Sequence, residues 1–274
     1  MKDSALVELS KRLRLTVLEM AYRCDGPAHL GGALSIVEIL AVLYGNVIKH
    51  DPANPFWEGR DRFILSKGHG VLAYYASLFH AGYFSKEILD TFKQNGSDLI
   101  AHPVMNLQMG IESSNGSLGH GLSMSTGIAW GLKFKQSNAH VYTLLGDGEC
   151  DEGSVWEAAA SASRFELSNL TAIIDCNGFQ SDGVVSNDNL AEALGGKWKS
   201  LGWQVSTVPG HSISELLNVF SKNRRSYTNK KPTAILALTE KGHGVSFMRQ
   251  NNFWHHNRLT ENLFNKAREE VVNG

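Results

Sequence analysis

The chain has 274 residues, of which 42% are hydrophobic and 19% charged, and its formal net charge at pH 7 is −1. A chain of this length can bury a sizeable core, and its near-neutral charge argues against nucleic acid or an anionic membrane as a partner. Three cysteines without CxxC spacing indicate reduced thiols. The amphipathic N-terminus is not a secretory signal, and the apolar stretch 36–48 is too short to cross a bilayer. We therefore expect a soluble, cytoplasmic protein.

Helical periodicity alternates with short β-prone runs along the chain. Helices are predicted at 4–23, 35–47, 70–81, 86–93, 121–136, 153–166, 189–201 and 213–224, and strands at 62–65, 140–145, 170–175, 203–207 and 233–238. A charged helix at 260–274 is expected to pack on a neighbour. Because helical segments separate the last four strands, the pattern predicts an α/β fold in which helices cover both faces of a parallel central sheet.

Two polar residues follow neighbouring strands of the predicted sheet. The second strand leads into Gly146-Asp147-Gly148 and the third into Asn177, with 28 residues between Gly148 and Asn177. Ligands bind at the carboxyl ends of parallel strands, so both side chains are expected at one rim. A carboxylate, an amide oxygen and the Phe179 carbonyl, with two diphosphate oxygens and a water, would complete the octahedron that Mg²⁺ requires. The sequence thus predicts a diphosphate held through a metal.

A glycine-rich segment, Gly116–Gly121 with the sequence GSLGHG, precedes the helix predicted at 121–136. Glycines let a ligand approach the backbone closely, and a helix N-terminus favours anionic groups. A loop that needs its glycines only for tight packing is the alternative. The segment is not GxGxxG and follows no strong strand, so a dinucleotide site is disfavoured.

Several of the eleven histidines lie in glycine-rich, non-helical segments. These are His29, His69, His102, His255 and His256. Loops on a rigid scaffold often carry function, and imidazole can donate to hydroxyl and diphosphate groups and move protons near neutral pH. Histidines without such a context are expected to be solvated or satisfied within the core; these are His50, His80, His140 and His211.

Together the motifs resemble the thiamine diphosphate signature, in which GDG is followed by an Asn after just under thirty residues. From about Leu6 to about Arg258 the chain is similar to the N-terminal, diphosphate-binding domain of transketolase. The resemblance implies that residues 1–274 form a single thiamine diphosphate-binding (PP) domain. It also implies a transferase that moves a two-carbon ketol unit from a ketose phosphate to an aldose phosphate, with thiamine diphosphate and Mg²⁺, or Ca²⁺ or Mn²⁺ in its place, as cofactors.

The resemblance further implies roles for individual histidines. His69 aligns with a histidine that touches the cofactor diphosphate, and His29 and His102 with histidines that hold the hydroxyls of the sugar donor. His255 matches a histidine near both the diphosphate and the donor, although His256 could take that role after a one-residue shift. His243, where related chains carry Lys or Phe, is expected to be structural.

The remaining site residues also follow from the resemblance. Gly116, Ser117 and Leu118 match a segment whose backbone lies along the aminopyrimidine end of the cofactor, and Ser117 and His120 depart from the Gly-Pro-Leu-Gly-Gln-Gly of many transketolases. Expected catalytic residues are His29, His102 and His255; expected cofactor-binding residues are His69, Gly116, Ser117, Leu118, Gly148, Asn177 and His255; expected metal ligands are Asp147, Asn177 and Phe179.

The pyrimidine-binding domain, which carries the catalytic glutamate in this family, and the C-terminal domain are absent from the chain. Because the chain begins with Met1 and closes on a polar helix, we expect a natural end. The expectation is then one half of a split transketolase, which acts on sugar phosphates only with a C-terminal subunit, in an α₂β₂ assembly.

Three alternatives stay open at this point. They are a subunit of a 2-oxo acid dehydrogenase, a deoxyxylulose-phosphate-synthase-like enzyme, and a noncatalytic subunit that keeps the fold for binding. The histidine set disfavours a 2-oxo acid, because sugar hydroxyls need several hydrogen-bonding side chains. Retention of Asp147, Asn177, His69 and His102 disfavours a decayed site.

Overall fold

The structure is a computed structural model that describes residues 3–24, 26–181, 183–184, 189–224 and 230–274. Its helices are α1 (Asp3–Arg23), α2 (Gly31–Leu34), α3 (Val37–Val42), α4 (Val71–Ala81), α5 (Lys86–Leu89), α6 (His120–Phe134), α7 (Gly153–Arg164), α8 (Leu190–Ser200), α9 (Ile213–Arg224) and α10 (Glu261–Asn273). Its strands are β1 (Arg62–Leu65), β2 (Val141–Gly146), β3 (Leu170–Cys176), β4 (Gln204–Pro209) and β5 (Thr233–Leu238). Within the described ranges, no helix is both long enough and apolar enough to cross a membrane.

The five strands form one parallel sheet in the order β1-β2-β3-β5-β4. Alternate side chains of the central strands enter two separate cores. Ile173 and Leu144 pack in the core that contains α1, α3, α4 and α10, whereas Leu145 and Ile174 pack against α6, α7 and α8. The predicted parallel sheet with helices on both faces is confirmed. In the β2–β3 register Gly146 lies beside Asp175, so the residues that follow these strands meet at one rim.

The helix predicted at 35–47 begins two residues later, at Val37, because the chain turns between α2 and α3. The break lies at Ser35, whose hydroxyl donates to the Asp175 carboxylate over 2.7 Å, a side-chain bond that competes with a continuous helix. After α3 the chain continues as a π-helical turn over Leu43–Val47. This turn contains Gly45, where an added Cβ would lie 2.4 Å from a methyl carbon of Leu6.

The helix predicted at 86–93 also ends early, at Leu89. Lys93 adopts a left-handed backbone conformation with φ 61°, and its N–H donates to the carbonyl of Leu99 over 2.8 Å. A residue in that conformation cannot continue a right-handed helix. The loop that contains Lys93 leads toward His102.

The neighbour of the C-terminal helix is α1 of the same chain. Lys11 Nζ donates to the Val272 carbonyl over 2.6 Å, and the rings of Tyr22 and Phe264 stack with centroids 4.5 Å apart. The apolar side of α10 is buried at Ala267 and Val271. The polar side of α10 faces outward and its apolar stripe faces inward, so a helix that is rich in charge still packs against the core.

A buried ion pair joins the carboxyl ends of β1 and β3. Lys67 and Asp175 are both fully buried, and Lys67 Nζ contacts Asp175 Oδ2 and donates to the Gly32 carbonyl over 2.9 Å. Asp175 also accepts from Asn177 Nδ2 over 2.7 Å and from the hydroxyl of Thr239, which follows β5. One carboxylate therefore fixes four chain segments below the carboxyl edge of the sheet.

We expect Val271→Asp to lower the free energy of unfolding by about 2–3 kcal/mol, because it places a carboxylate in the apolar contact between α10 and α1. The matched control is Val272→Asp, since Val271 is 6% exposed and Val272 is 48% exposed. Both variants add the same charge at the same helix end. The difference between their free energies of urea unfolding therefore measures the effect of burial. Equal stability of the two variants would contradict the packing of α10 on α1.

Lys67→Met should destabilise the chain by about 3–5 kcal/mol, because it leaves the Asp175 carboxylate buried without its cation. Although burial alone would raise it, the pKa of Asp175 is lowered by the charge of Lys67 and by hydrogen bonds from Lys67, Thr239 and Ser35. The contribution of the pair is thus complete above the pKa of an unfolded aspartate and is lost as the pH falls through the lowered native pKa. The double variant Lys67→Met/Asp175→Asn should be more stable than Lys67→Met alone in chemical unfolding; an equally unstable or less stable double variant would refute the coupling.

Candidate functional site

The candidate site lies at the carboxyl edge of the sheet, where the loops after β1, β2, β3 and β5 converge. The loops that precede α2 and α10 complete it. The loops are joined by hydrogen bonds between residues that directly follow the strands. The strands therefore fix the positions of these residues. Ligand sites of open α/β sheets occur at this edge.

Asp147 and Asn177 lie in loops that are hydrogen-bonded to one another. The Asp147 carboxylate is buried and accepts from the N–H of Gly148 over 2.8 Å and from the N–H of Gly178 over 2.7 Å. Asn177 donates through Nδ2 to Asp175 and accepts through Oδ1 from the Phe179 N–H over 3.1 Å. Gly178 has φ 77°, which lets the loop turn back toward Asp147.

The electrostatics of this pair suit a bound cation. Burial, and then the charge of Asp175, raise the pKa of Asp147 to about 6, while hydrogen bonds from Gly178 and Gly148 oppose the shift. A divalent cation beside Asp147 would offset this desolvation. The oxygens available from Asp147, Asn177 and the Phe179 backbone are hard ligands of the kind that Mg²⁺ and Ca²⁺ prefer. The residues present therefore fit a hard divalent metal.

A second lysine lies at this site and was not predicted from the sequence. Lys241 Nζ lies 2.6 Å from Asn252 Oδ1, 3.0 Å from His255 Nδ1 and 5.3 Å from the centroid of the Phe179 ring. Burial, and then the charge of Lys67, lower the pKa of Lys241 to about 8. The signal that could have found both lysines is their position, because each follows the end of a strand.

Glu149 ties the glycine-rich segment to the Gly146-Asp147-Gly148 turn, and it too was missed from the sequence. Its carboxylate accepts from the Gly119 N–H over 2.8 Å, from the Gly146 N–H over 3.0 Å and from the Ser66 hydroxyl. Burial raises the pKa of Glu149 in spite of these bonds. An acidic residue directly after the turn was the available signal.

The packing interpretation of the glycine-rich segment applies at Gly121, whereas the segment around Gly116 is open. An added Cβ at Gly121 would lie 2.4 Å from Ser66 Cβ, so this glycine is required by packing. Gly116, Ser117 and Leu118 are exposed. An added Cβ at Gly116 would lie 3.6 Å from the His102 ring, which places the exposed backbone beside the histidines.

The five loop histidines come together in one cluster. His29 lies at its centre, with ring centroids 5.8 Å from His69, 5.6 Å from His102, 5.4 Å from His255 and 4.3 Å from His256. The His69 and His255 rings are 5.4 Å apart. The structure thus gathers residues that are separated by more than two hundred positions in the chain.

The inner histidines of the cluster are neutral near pH 7. Burial, and then the charges of His256 and His255, lower the pKa of His29 to about 3. Burial and Lys67 place the pKa of His69 well below its ordinary value, and burial and His256 lower that of His102. A neutral imidazole has one donor and one acceptor nitrogen, so the cluster can hydrogen-bond hydroxyl groups in either sense.

The two adjacent histidines take different positions. His255 lies on the side of Lys241 and His69, whereas His256 lies against His29. Both belong to the cluster, and they occupy two distinct places in it.

His243 lies in a separate network that supports the loop after β5. Its ring stacks on His211 with centroids 3.5 Å apart, and His211 accepts from the Glu240 N–H through Nε2 over 2.8 Å. His211 Nδ1 must therefore carry the proton that it shares with Glu38 over 2.8 Å. Although burial opposes ionisation, His211 and Arg14 lower the pKa of Glu38 to about 2. The side chains of Glu38, His211 and His243 contact or hydrogen-bond one another or their neighbours. We therefore assign them a structural role, as expected for His243.

Comparison with known proteins agrees with this geometry. The family model described as "Transketolase, thiamine diphosphate binding domain" matches residues 7–272. The chain is 42% identical over 246 residues to the 6-deoxy-6-sulfo-D-fructose transketolase subunit SqwG of Clostridium sp. (strain MSTE9), covering 90% of this chain and 89% of that protein. It is 37% identical over 262 residues to an apulose-4-phosphate transketolase subunit of Phocaeicola vulgatus, covering 96% and 92%.

A solved structure, that of transketolase from Campylobacter jejuni, superposes with a TM-score of 0.90 at 29% identity. The match covers 99% of this chain and 43% of that one. The chain thus spans less than half the length of this transketolase, whereas it spans most of the two subunits above. The predicted family and fold are confirmed: the chain belongs to the transketolase family, as a member with the thiamine diphosphate-binding domain.

Proposed function

We propose that this chain is the diphosphate-binding subunit of a split transketolase, and that it transfers a two-carbon ketol unit from a ketose to an aldose together with a second chain. The observation that carries the proposal is the juxtaposition of two half-sites at one rim. An oxygen-donor loop around Asp147 and Asn177 suits a metal diphosphate, and a cluster of neutral histidines suits a polyhydroxylated substrate. The whole of residues 1–274 acts as one domain in this proposal, and the enzyme is cytoplasmic.

At the diphosphate end, Asp147, Asn177 and the Phe179 carbonyl would hold Mg²⁺, with Ca²⁺ or Mn²⁺ as substitutes. Gly148 would also contact the diphosphate, and His69 would donate to it. Lys241 adds a positive charge on the same side, 3.0 Å from His255. Gly116, Ser117 and Leu118 would line the other end of the cofactor with their exposed backbone.

At the sugar end, His29, His102 and His255 would hold the hydroxyls of the ketose and move protons during transfer. When bound, thiamine diphosphate supplies the nucleophilic carbon for breaking a carbon–carbon bond next to a carbonyl. The protein orients the ketose through neutral imidazoles, which accept and donate protons without a large desolvation penalty. This hydroxyl-binding cluster favours a sugar over a 2-oxo acid, which offers few hydroxyls to bind.

The substrates carry an anionic group in this proposal. The names of the relatives mention 6-deoxy-6-sulfo-D-fructose and apulose-4-phosphate, a sulfonate and a phosphate. The donor is accordingly a ketose phosphate or sulfonate, and the acceptor an aldose phosphate.

The second chain would supply the pyrimidine-binding domain and its glutamate, with two copies of each chain in the assembly. Exposed apolar side chains surround the loop of His102 and the glycine-rich segment; these are Ile100, Val104, Met105 and Leu118. An apolar rim beside a cofactor site is the kind of surface that a second protein chain covers. The relatives named as transketolase subunits support this proposal.

We expect Asp147→Ala and Asn177→Ala each to weaken the binding of thiamine diphosphate with Mg²⁺ by more than about 100-fold, because each removes a direct metal ligand. Titration calorimetry measures the affinity, and circular dichroism shows whether the fold is kept. Asp151→Asn, an exposed residue of the same turn, is the matched control and should bind normally. Undiminished binding by Asp147→Ala or Asn177→Ala would refute the metal assignment.

The isolated chain should be inactive in ketol transfer, and activity should appear only with a second chain. We would recover the tagged chain from its native cells and assay the eluate, with thiamine diphosphate and Mg²⁺, against D-xylulose 5-phosphate, D-fructose 6-phosphate, 6-deoxy-6-sulfo-D-fructose and apulose 4-phosphate. A stoichiometric second chain that is required for activity is the expected result. Full activity of the purified single chain would contradict the split enzyme.

A further inference from the structure

A short backbone pairing fixes the second histidine of the Phe-Trp-His-His sequence beside the centre of the cluster. Ala28 and Asn257 form an antiparallel bridge, in which the Ala28 N–H donates to the Asn257 carbonyl over 3.0 Å and the Asn257 N–H to the Ala28 carbonyl over 3.1 Å. In this register the next residues, His29 and His256, stand directly opposite one another. Opposite residues of an antiparallel pair carry their side chains on the same face.

The side chains follow this register. The His29 and His256 ring centroids are 4.3 Å apart, the shortest ring contact that His29 makes within the cluster, with the planes inclined by 36°. His29 is half-buried, whereas His256 is exposed. His256 therefore covers His29 on the side that faces solvent.

We propose that His256 is a substrate-contacting residue, which binds a hydroxyl of the ketose donor at the outer end of the site and shields His29 from water. The inference rests on the proposed function and adds a residue to it. His255, which in the proposed function serves both the diphosphate and the ketose, lies 3.0 Å from Lys241 Nζ, whereas His256 lies against His29 and is assigned to the sugar alone.

Two features of the cluster support a contact with substrate. The exposed ring of His256 lies 4.3 Å from the ring of His29, so a sugar hydroxyl that is bound to His29 lies close to His256 as well. The charge of His256 is also a cause of the lowered pKa of both His29 and His102.

The test uses the two-chain complex and the ketose that it turns over fastest among the four named above. His256→Ala should raise the KM for the ketose roughly 3- to 10-fold, the loss expected for one hydrogen bond, with little change in kcat. His256→Asn, which keeps a donor and an acceptor but cannot be protonated, should recover part of this loss. Arg258→Gln, an exposed change in the same segment, is the control.

Two further measurements do not depend on turnover. Thiamine diphosphate affinity should be unchanged in His256→Ala, because His256 lies on the sugar side. In the chain itself, NMR titration should show that the pKa of His29 rises in His256→Ala, since the ring loses both its cover and a neighbouring charge.

An unchanged KM in His256→Ala, with normal thiamine diphosphate affinity, would overturn the assignment of His256 alone. Failure of the unaltered chain to bind thiamine diphosphate would instead contradict the proposed function. The calorimetric measurement therefore separates the two outcomes.

Discussion

The buried pair of Lys67 and Asp175 is the interaction on which the architecture of the site depends. Asp175 is the penultimate residue of β3, and its carboxylate receives bonds from the segments that follow β1 and β5 and from the break between α2 and α3. It also receives the Nδ2 group of Asn177, whose Oδ1 is thereby oriented. A buried carboxylate needs a hydrogen-bond donor at each of its lone pairs. Each of these segments must therefore keep the position in which its donor reaches Asp175.

Removal from water then sets the electrostatics around this pair. The same burial that raises the pKa of Asp147 lowers those of Lys241, His29 and His69, so each group is shifted toward its neutral form. A metal diphosphate would bring a cation close to Asp147 and anionic oxygens close to Lys241 and His69, and so would favour the charged forms of these groups. The neutral histidines, by contrast, suit hydroxyl groups, so the two halves of the site differ in the chemistry that they accept.

The networks outside the cluster explain how the loops keep their shape. Glu149 fastens the glycine-rich segment to the turn of Asp147, and His211 holds the loop of Lys241 through the Glu240 N–H. His211 and His243 resemble ligands of a metal when only their types and proximity are considered. The hydrogen bonds decide otherwise, because they use both nitrogens of His211 and fix its tautomer.

The sequence by itself determined the parallel sheet and the common rim of Asp147 and Asn177, because apolar runs of strand length, separated by helical periodicity, allow few other arrangements. It did not reveal the break at Ser35, the role of Asp175 or the place of Lys241, since each depends on partners that are distant in the chain. It also left the two adjacent histidines in doubt. Only the tertiary structure gives their positions, because the backbone pairing of Ala28 with Asn257 sets His256 against His29, while His255 contacts Lys241.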